Sequence, residues 1–243
     1  MEKVDLIKYL DKYLQNSEYK DSSKNGLQVD NINNEVKKIY AVDATSYIID
    51  KAIEEEVDMI IVHHGMYWGI EQTTTGVIFQ RMKKLIDNNI CLYTSHLPLD
   101  AHKEVNNIII RQLVDSLDIK NGQIEEFEYE FIVYGIRFTS AIDVDKVEQI
   151  LTEKLLESGL YNFKKEKINS ICVISAGRMA TEAKEKNYDL FITGEAAHFE
   201  ITFAKELEQS IFLHRETETF VKLLAEYIQK KYNIEVVFLD EKY

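Results

Sequence analysis

Apolar positions alternate between helical and strand spacing for most of the chain. Lys3 to Leu14 places Leu6, Ile7, Leu10, Tyr13 and Leu14 on one helical face. A polar loop from Asn16 to Lys24 leads to Asn25-Gly26-Leu27-Gln28-Val29, which reads as a turn feeding a short strand. Val36 to Val42 reads as a strand, followed by a helix with Ile48, Ile49, Ala52 and Ile53 inward and Thr45 or Ser46 as its cap. Asp58 to Val62 is an apolar run of strand length, as expected of a strand buried on both faces of a parallel sheet, and it ends in His63-His64-Gly65. A helix from Val77 to Asn89, a strand from Ile90 to Thr94 and a helix from Val105 to Leu117 continue a βαβαβ alternation.

Asn121-Gly122 marks a break, and an acidic lead from Glu125 to Glu130 enters the strand Phe131 to Phe138. Asp143 can cap a helix from Val144 to Glu157 that stops at Gly159, and short strands follow near Tyr161 to Lys164 and Ser170 to Ile174. The pattern of the first half then recurs in outline. A helix runs through Lys186; Asp189 to Thr193 ends in Gly194-Glu195 with His198; Ser210 to Leu213 ends in His214; helix Phe220 to Lys231 and strand Glu235 to Leu239 close the chain. The expected fold is α/β, two interlinked lobes of similar topology with mixed or parallel sheets flanked by helices. The lobes span residues 1–122 and 123–243, the last helix and strand packing on the first.

Composition narrows the function classes. At 243 residues, 45% apolar and 29% charged, the chain reads as a globular protein with a sizeable core. No run approaches the ~18 apolar residues of a membrane span, and the charged N-terminus carries no signal-peptide core, so the expected location is the cytoplasm. A net charge of −13 without a basic stripe argues against nonspecific nucleic-acid binding. Cys91 and Cys172 lie inside expected strands and read as buried hydrophobes. There is no P-loop or dinucleotide fingerprint; Ser175-Ala176-Gly177-Arg178 after a strand is a weak anion-site signal.

The candidate chemistry gathers at strand ends, where open α/β sheets place their ligands. His63 and His64 end one strand; Ser95-His96-Leu97-Pro98-Leu99-Asp100-Ala101-His102 ends another; Glu195 and His198 follow a third; His214 and Glu218, four apart on one helical face, follow a fourth. An imidazole and a carboxylate on one turn can hold a divalent ion, although singly such a pair is more often a solvated surface couple, and Asp100 alone reads as a helix cap. Met66, Tyr67 and Trp68 form a loop whose exposed aromatics can stack on a flat substrate or pack between subunits.

Taken together, Asn25-Gly26-Leu27-Gln28-Val29, Val62-His63-His64-Gly65 with Trp68, Ser95 to His102, Thr193-Gly194-Glu195 with His198, and His214 with Thr217-Glu218 resemble the NIF-three-like family, the GTP cyclohydrolase 1 type 2 homologues. The resemblance covers essentially the whole chain. It implies two divalent ions per chain (Zn, Fe, Mn or Co), with His64 and Asp100 on one, His63 and His214 on the other and Glu218 bridging, in a toroidal homohexamer. Leu213 stands where many members have Gly, and the long insertions of some relatives are absent. His96, Glu195 and His198 fall outside that ligand set and are candidates for a proton shuttle or an outer-sphere anchor, with capping or packing as their alternative. The implied activity is metal-dependent hydrolysis of a nucleotide or related heterocycle, GTP ring opening or phosphoester cleavage. The alternative is a metal-binding, metal-delivery or scaffold protein without turnover.

Overall fold

A computed structural model describes residues 1–41, 43–69, 73–100, 102, 115–116, 124–129, 133–154, 159–163, 166–174, 188–193, 196–213 and 216–238, with the backbone alone at 124–129, 133–140, 154, 173–174 and 216–220. They form an α/β protein with two sheets, as expected. Its helices are α1 (Lys3–Leu14), α2 (Ser46–Glu54), α3 (Gly76–Asp87), α4 (Leu97–Asp100), α5 (Val144–Lys154), α6 (His198–Glu206) and α7 (Glu216–Tyr232). The strands are β1 (Gly26–Val29), β2 (Lys38–Ala41), β3 (Met59–Val62), β4 (Cys91–Thr94), β5 (Ile124–Tyr129), β6 (Val133–Asp143), β7 (Gly159–Tyr161), β8 (Lys167–Ile174), β9 (Leu190–Thr193), β10 (Ser210–Leu213) and β11 (Glu235–Val237). The chain divides into two compact units, Met1–Leu99 with Glu218–Tyr243, and Asp100–Thr217. The break expected at Asn121-Gly122 and most of the helix expected from Val105 to Leu117 lie outside the described residues.

In the first unit the sheet order is β1-β4-β3-β2-β11, parallel from β4 to β11, with β1 antiparallel on the edge. The C-terminal strand β11 pairs with β2 through Val236 and Ile39. Every residue of β3 is buried. Ile60 and Val62 join Tyr40, Ile48, Ile49, Leu85 and Leu92 in one core cluster that takes its helical members from α2 and α3. Met59 and Ile61 point the other way, as alternation on a strand requires, and are equally buried, so both faces of the sheet are covered. Leu6, Leu10 and Leu14 form the fully buried stripe of α1. Tyr13 of that helix stacks on Tyr227 of α7 with ring centroids 4.8 Å apart.

Thr45 is the cap of α2: its side chain accepts the Ile48 N–H at 3.2 Å. Thr45→Ala should cost about 1 kcal/mol, read as a lower urea midpoint at unchanged slope, whereas Thr45→Ser should cost little.

The second unit has the order β5-β6-β8-β9-β10-β7, with β8, β9 and β10 parallel and the others antiparallel. The acidic lead is a correction to the expected pattern. Ile124 to Tyr129 is itself a strand, paired residue for residue from Ile124↔Phe138 to Tyr129↔Val133. Its glutamates mask the alternation by which a strand is recognised, and the cross-strand backbone bonds override the low strand propensity of Glu. Gly159 opens β7. Cys91 and Cys172 are both buried, as expected, and burial pushes the Cys91 thiol up to about 12. No helix among the described residues is long and apolar enough to cross a membrane.

Candidate metal centre

The neighbouring parallel strands β3 and β4 run in register from Met59↔Cys91 to Val62↔Thr94. Their carboxyl ends therefore emerge side by side, and the residues that follow, His63-His64 and Ser95-His96, must meet. The Ser95 N–H donates to the Val62 carbonyl at 3.0 Å and prolongs the ladder to the edge of the site. His63, His64 and His96 each offer a ring nitrogen, and these atoms lie within 4.8 Å of one another. The rings stand 4.4 Å (His63–His64), 4.8 Å (His63–His96) and 5.5 Å (His64–His96) apart between centroids.

The three imidazoles differ in environment. His63 is 4% exposed. Burial, reinforced by the rings of His64 and His96, holds its pKa well below the ordinary imidazole value, against the opposing effects of its hydrogen bond with the Ser95 backbone and the Asp21 charge. It is therefore neutral at pH 7, as a metal ligand must be. His64 is exposed and lies 3.5 Å from an Asp43 carboxylate oxygen. His96 is oriented by Asp21, whose carboxylate oxygens lie 2.9 and 3.1 Å from its Nδ1.

Asp21 is the hub of the site. Its side chain is 2% exposed, and it accepts hydrogen bonds from the Ser23 N–H (3.0 Å), the Asn25 side-chain amide (2.9 Å) and the Leu97 N–H (2.9 Å) as well as from His96. Burial alone would raise its pKa; the hydrogen bonds from His96, Ser23, Asn25 and Leu97 outweigh it and hold the carboxyl well below the usual range. An ionised carboxylate only accepts, so Nδ1 of His96 carries a proton, and in the neutral ring the lone pair is on Nε2. The same geometry builds α4. Asn25 Oδ1 takes the His96 N–H at 2.8 Å, Asp21 takes that of Leu97, and Pro98 has none to satisfy in the first turn.

The loop after the histidines is pinned rather than open. Met66 is buried, and its N–H donates to Gln28 Oε1 at 2.8 Å. The Lys24 N–H donates to the Tyr67 carbonyl at 3.1 Å and the Gly69 N–H to that of Ser22 at 2.5 Å. Trp68, expected to be exposed, is half-buried: its indole N–H donates to the Gly65 carbonyl (3.0 Å) and its ring stands 4.8 Å from His96 and 5.6 Å from His64. The apolar rings gain more from this packing than from water. Asn25-Gly26 turns the chain into the short strand β1, as expected, with Gly26 at a positive φ (+101°), and the side chains of Asn25 and Gln28 brace the site.

Of the sequence candidates, the structure brings together His63, His64 and His96. Asp100 is 2% exposed and is the last residue of α4; the helix it was expected to cap begins outside the described residues. His198 is the exposed first residue of α6, whose N-terminus is held by Glu200 accepting the Ala197 N–H at 2.7 Å. Glu195 and His214 lie outside the described residues, and Glu218 is placed by its backbone on the first turn of α7. Asp21 was missed because the loop that carries it has no periodicity; its only local signal is an Asp and an Asn four apart, at Asp21 and Asn25.

The Duf34/NIF3 (NGG1p interacting factor 3) family model matches residues 1–243. A relative in Pyrococcus abyssi named GTP cyclohydrolase 1 type 2 homolog is 37% identical over 99% of this chain and 98% of its own, and one of the same name in Haemophilus influenzae is 34% identical over the same shares. Among solved structures, that of TTHA1606 from Thermus thermophilus is similar with a TM-score of 0.86 and 30% identity, covering 100% of this chain and 99% of that one. With the family match running through the whole length and these relatives covering nearly all of it, the chain belongs to the Duf34/NIF3 family.

Proposed function

We propose that the protein is a divalent-metal-dependent hydrolase acting on a nucleotide or related heterocycle at the carboxyl ends of β3 and β4. One observation carries the reading: three imidazoles converge within 4.8 Å, one held neutral by burial. The donor set fits a transition metal, since neutral imidazole suits Zn, Fe, Mn and Co. The ion, when bound, supplies a Lewis acid that acidifies water and polarises a phosphoryl oxygen or ring carbon. His63 brings its lone pair without having to lose a proton. Asp21 fixes the tautomer of His96, which is therefore read as a ligand whose Nδ1 proton is already committed to the carboxylate. Asp43 lies close enough to bias His64 in the same way.

The family resemblance adds Asp100, His214 and Glu218 to this reading as further metal ligands, Glu218 as the bridge between two ions, and Glu195 or His198 as a proton shuttle or outer-sphere anchor. The name borne by the curated relatives makes GTP ring opening the first reaction to test, and a nucleotide phosphoester the second. Elemental mass spectrometry of the purified protein should find roughly two transition-metal ions per chain. His63→Ala should lose most of them, and Glu218→Gln should lose turnover of a nucleotide panel while the proposed hexamer persists. A wild type that takes up no metal on reconstitution sinks the reading. Uptake without turnover of any nucleotide would favour metal delivery.

A further inference from the structure

The first unit carries an open groove of ≈ 620 Å3 lined by Gly65, Trp68, Thr73, Thr75, Ile78 and Arg81 among others, a size suited to a small ligand. Gly65 follows His64 directly, so the groove begins at the foot of the histidine cluster. Trp68 contributes to both: its ring packs against His64 and His96 while also lining the groove. At the α3 side stands Arg81. Its Nε donates to Ser46 Oγ at 3.3 Å, and its two terminal nitrogens make no hydrogen bond or ion pair among the described residues. The contrast with its neighbours on α3 is informative. Lys83 pairs with Asp87 and Lys84 with Asp50, yet the arginine that faces the groove has no carboxylate partner among the described residues. A guanidinium left with its planar terminal edge unused is a fork for an oxyanion. The hydroxyls of Thr73 and Thr75, 3.5 Å apart, add donors on the same wall.

We infer that this groove is the substrate's seat and that it takes a nucleoside phosphate, with the phosphate on Arg81 and the planar base against Trp68. The inference rests on the hydrolase reading for placing the reacting end at the histidines, but the recognition itself needs no metal. Trp68 is the chain's only tryptophan, so its emission reports on this groove and the adjoining histidine cluster, and titrating the chelator-treated and metal-loaded forms side by side separates the two. The test is a fluorescence titration of the full chain, chelator-treated and metal-loaded, with each of the four nucleoside monophosphates, the matching free nucleosides, and inorganic phosphate as competitor.

At least one monophosphate should give saturable quenching in both forms, its nucleoside should bind at least tenfold more weakly, and inorganic phosphate should displace it. Arg81→Gln should weaken the monophosphate about tenfold or more, with Arg81→Lys between it and wild type. Circular dichroism should show both variants folded, since the residue sits on a helix surface. Three outcomes overturn the inference: equal binding of nucleotide and nucleoside, binding unchanged by Arg81→Gln in a folded protein, or no saturable quenching by any of the four. Intact nucleotide binding with failed metal loading would remove the hydrolase reading and leave the groove standing. Metal uptake and turnover without an Arg81 effect would overturn the groove alone.

Discussion

Asp21→Asn should lower stability at pH 7 by about 3 kcal/mol and weaken metal binding on the order of 10- to 100-fold. The carboxylate takes four donors: the His96 ring N–H, the Ser23 and Leu97 backbone N–H groups and the Asn25 amide. An asparagine offers one oxygen with two lone pairs, and its NH2 would face donors where the second carboxylate oxygen stood. At 2% exposure water cannot take over the lost bonds. Two hydrogen bonds to a charged group, at roughly 1.5 kcal/mol each, set the estimate. His96 would also lose the carboxylate that fixes its tautomer, so Nε2 would no longer be held as the acceptor.

The pH dependence gives this prediction its sign. The folded-state pKa of Asp21 lies well below its unfolded value of about 3.9, so its contribution is fully present above that value and is lost as pH falls toward the folded pKa. The urea midpoints of wild type and Asp21→Asn should therefore keep a constant gap from pH 7 to about pH 5 and begin to draw together below about pH 4, the gap at pH 3 being narrower but not closed. A gap that stays constant from pH 7 to pH 3 would show that Asp21 acts by shape and not by charge.

How much of this was legible beforehand depends on distance along the chain. β3 announces itself, because five residues from Asp58 to Val62 set up a buried strand and the next two are histidines. Its neighbour β4 does so equally, and parallel pairing then obliges His63, His64 and His96 to converge. Asp21 is 75 residues from His96 and sits in a polar loop where nothing periodic marks it. Its role exists only once β1 has been laid antiparallel against β4, bringing the preceding loop to the strand ends. Trp68 was misjudged for a related reason. Loop aromatics look exposed when the partners that cover them come from a different segment, here His96. The glutamates of β5 hid a strand because pairing with β6 is set by backbone bonds that composition does not display.

Gly65→Ala should cost about 3 to 5 kcal/mol and displace the histidine turn. A Cβ at position 65 would stand 2.3 Å from Thr94 Oγ1 and 2.5 and 2.6 Å from the two ends of the Gln28 amide, inside any real contact distance. Its φ is not in the left-handed region, so the demand is for space and not for backbone freedom. Thr94 is fully buried at the end of β4 and cannot yield without disturbing the ladder that positions Ser95 and His96. The Gln28 side chain could swing away in isolation, but its Oε1 accepts the Met66 N–H and its Nε2 donates to the Lys24 carbonyl at 2.8 Å. Moving it breaks both bonds, each worth about 1 kcal/mol, on top of an overpacking cost of about 1 to 3 kcal/mol. Two variants separate these contributions. Gln28→Ala removes part of the obstruction along with its bonds, so in Gly65→Ala/Gln28→Ala the added cost of the alanine should be smaller than in the wild-type background. If the two changes are additive, Gln28 is not what excludes a side chain at position 65. Thr94 alone would then define the wall, and Thr94→Ser, which keeps that oxygen, should give no relief.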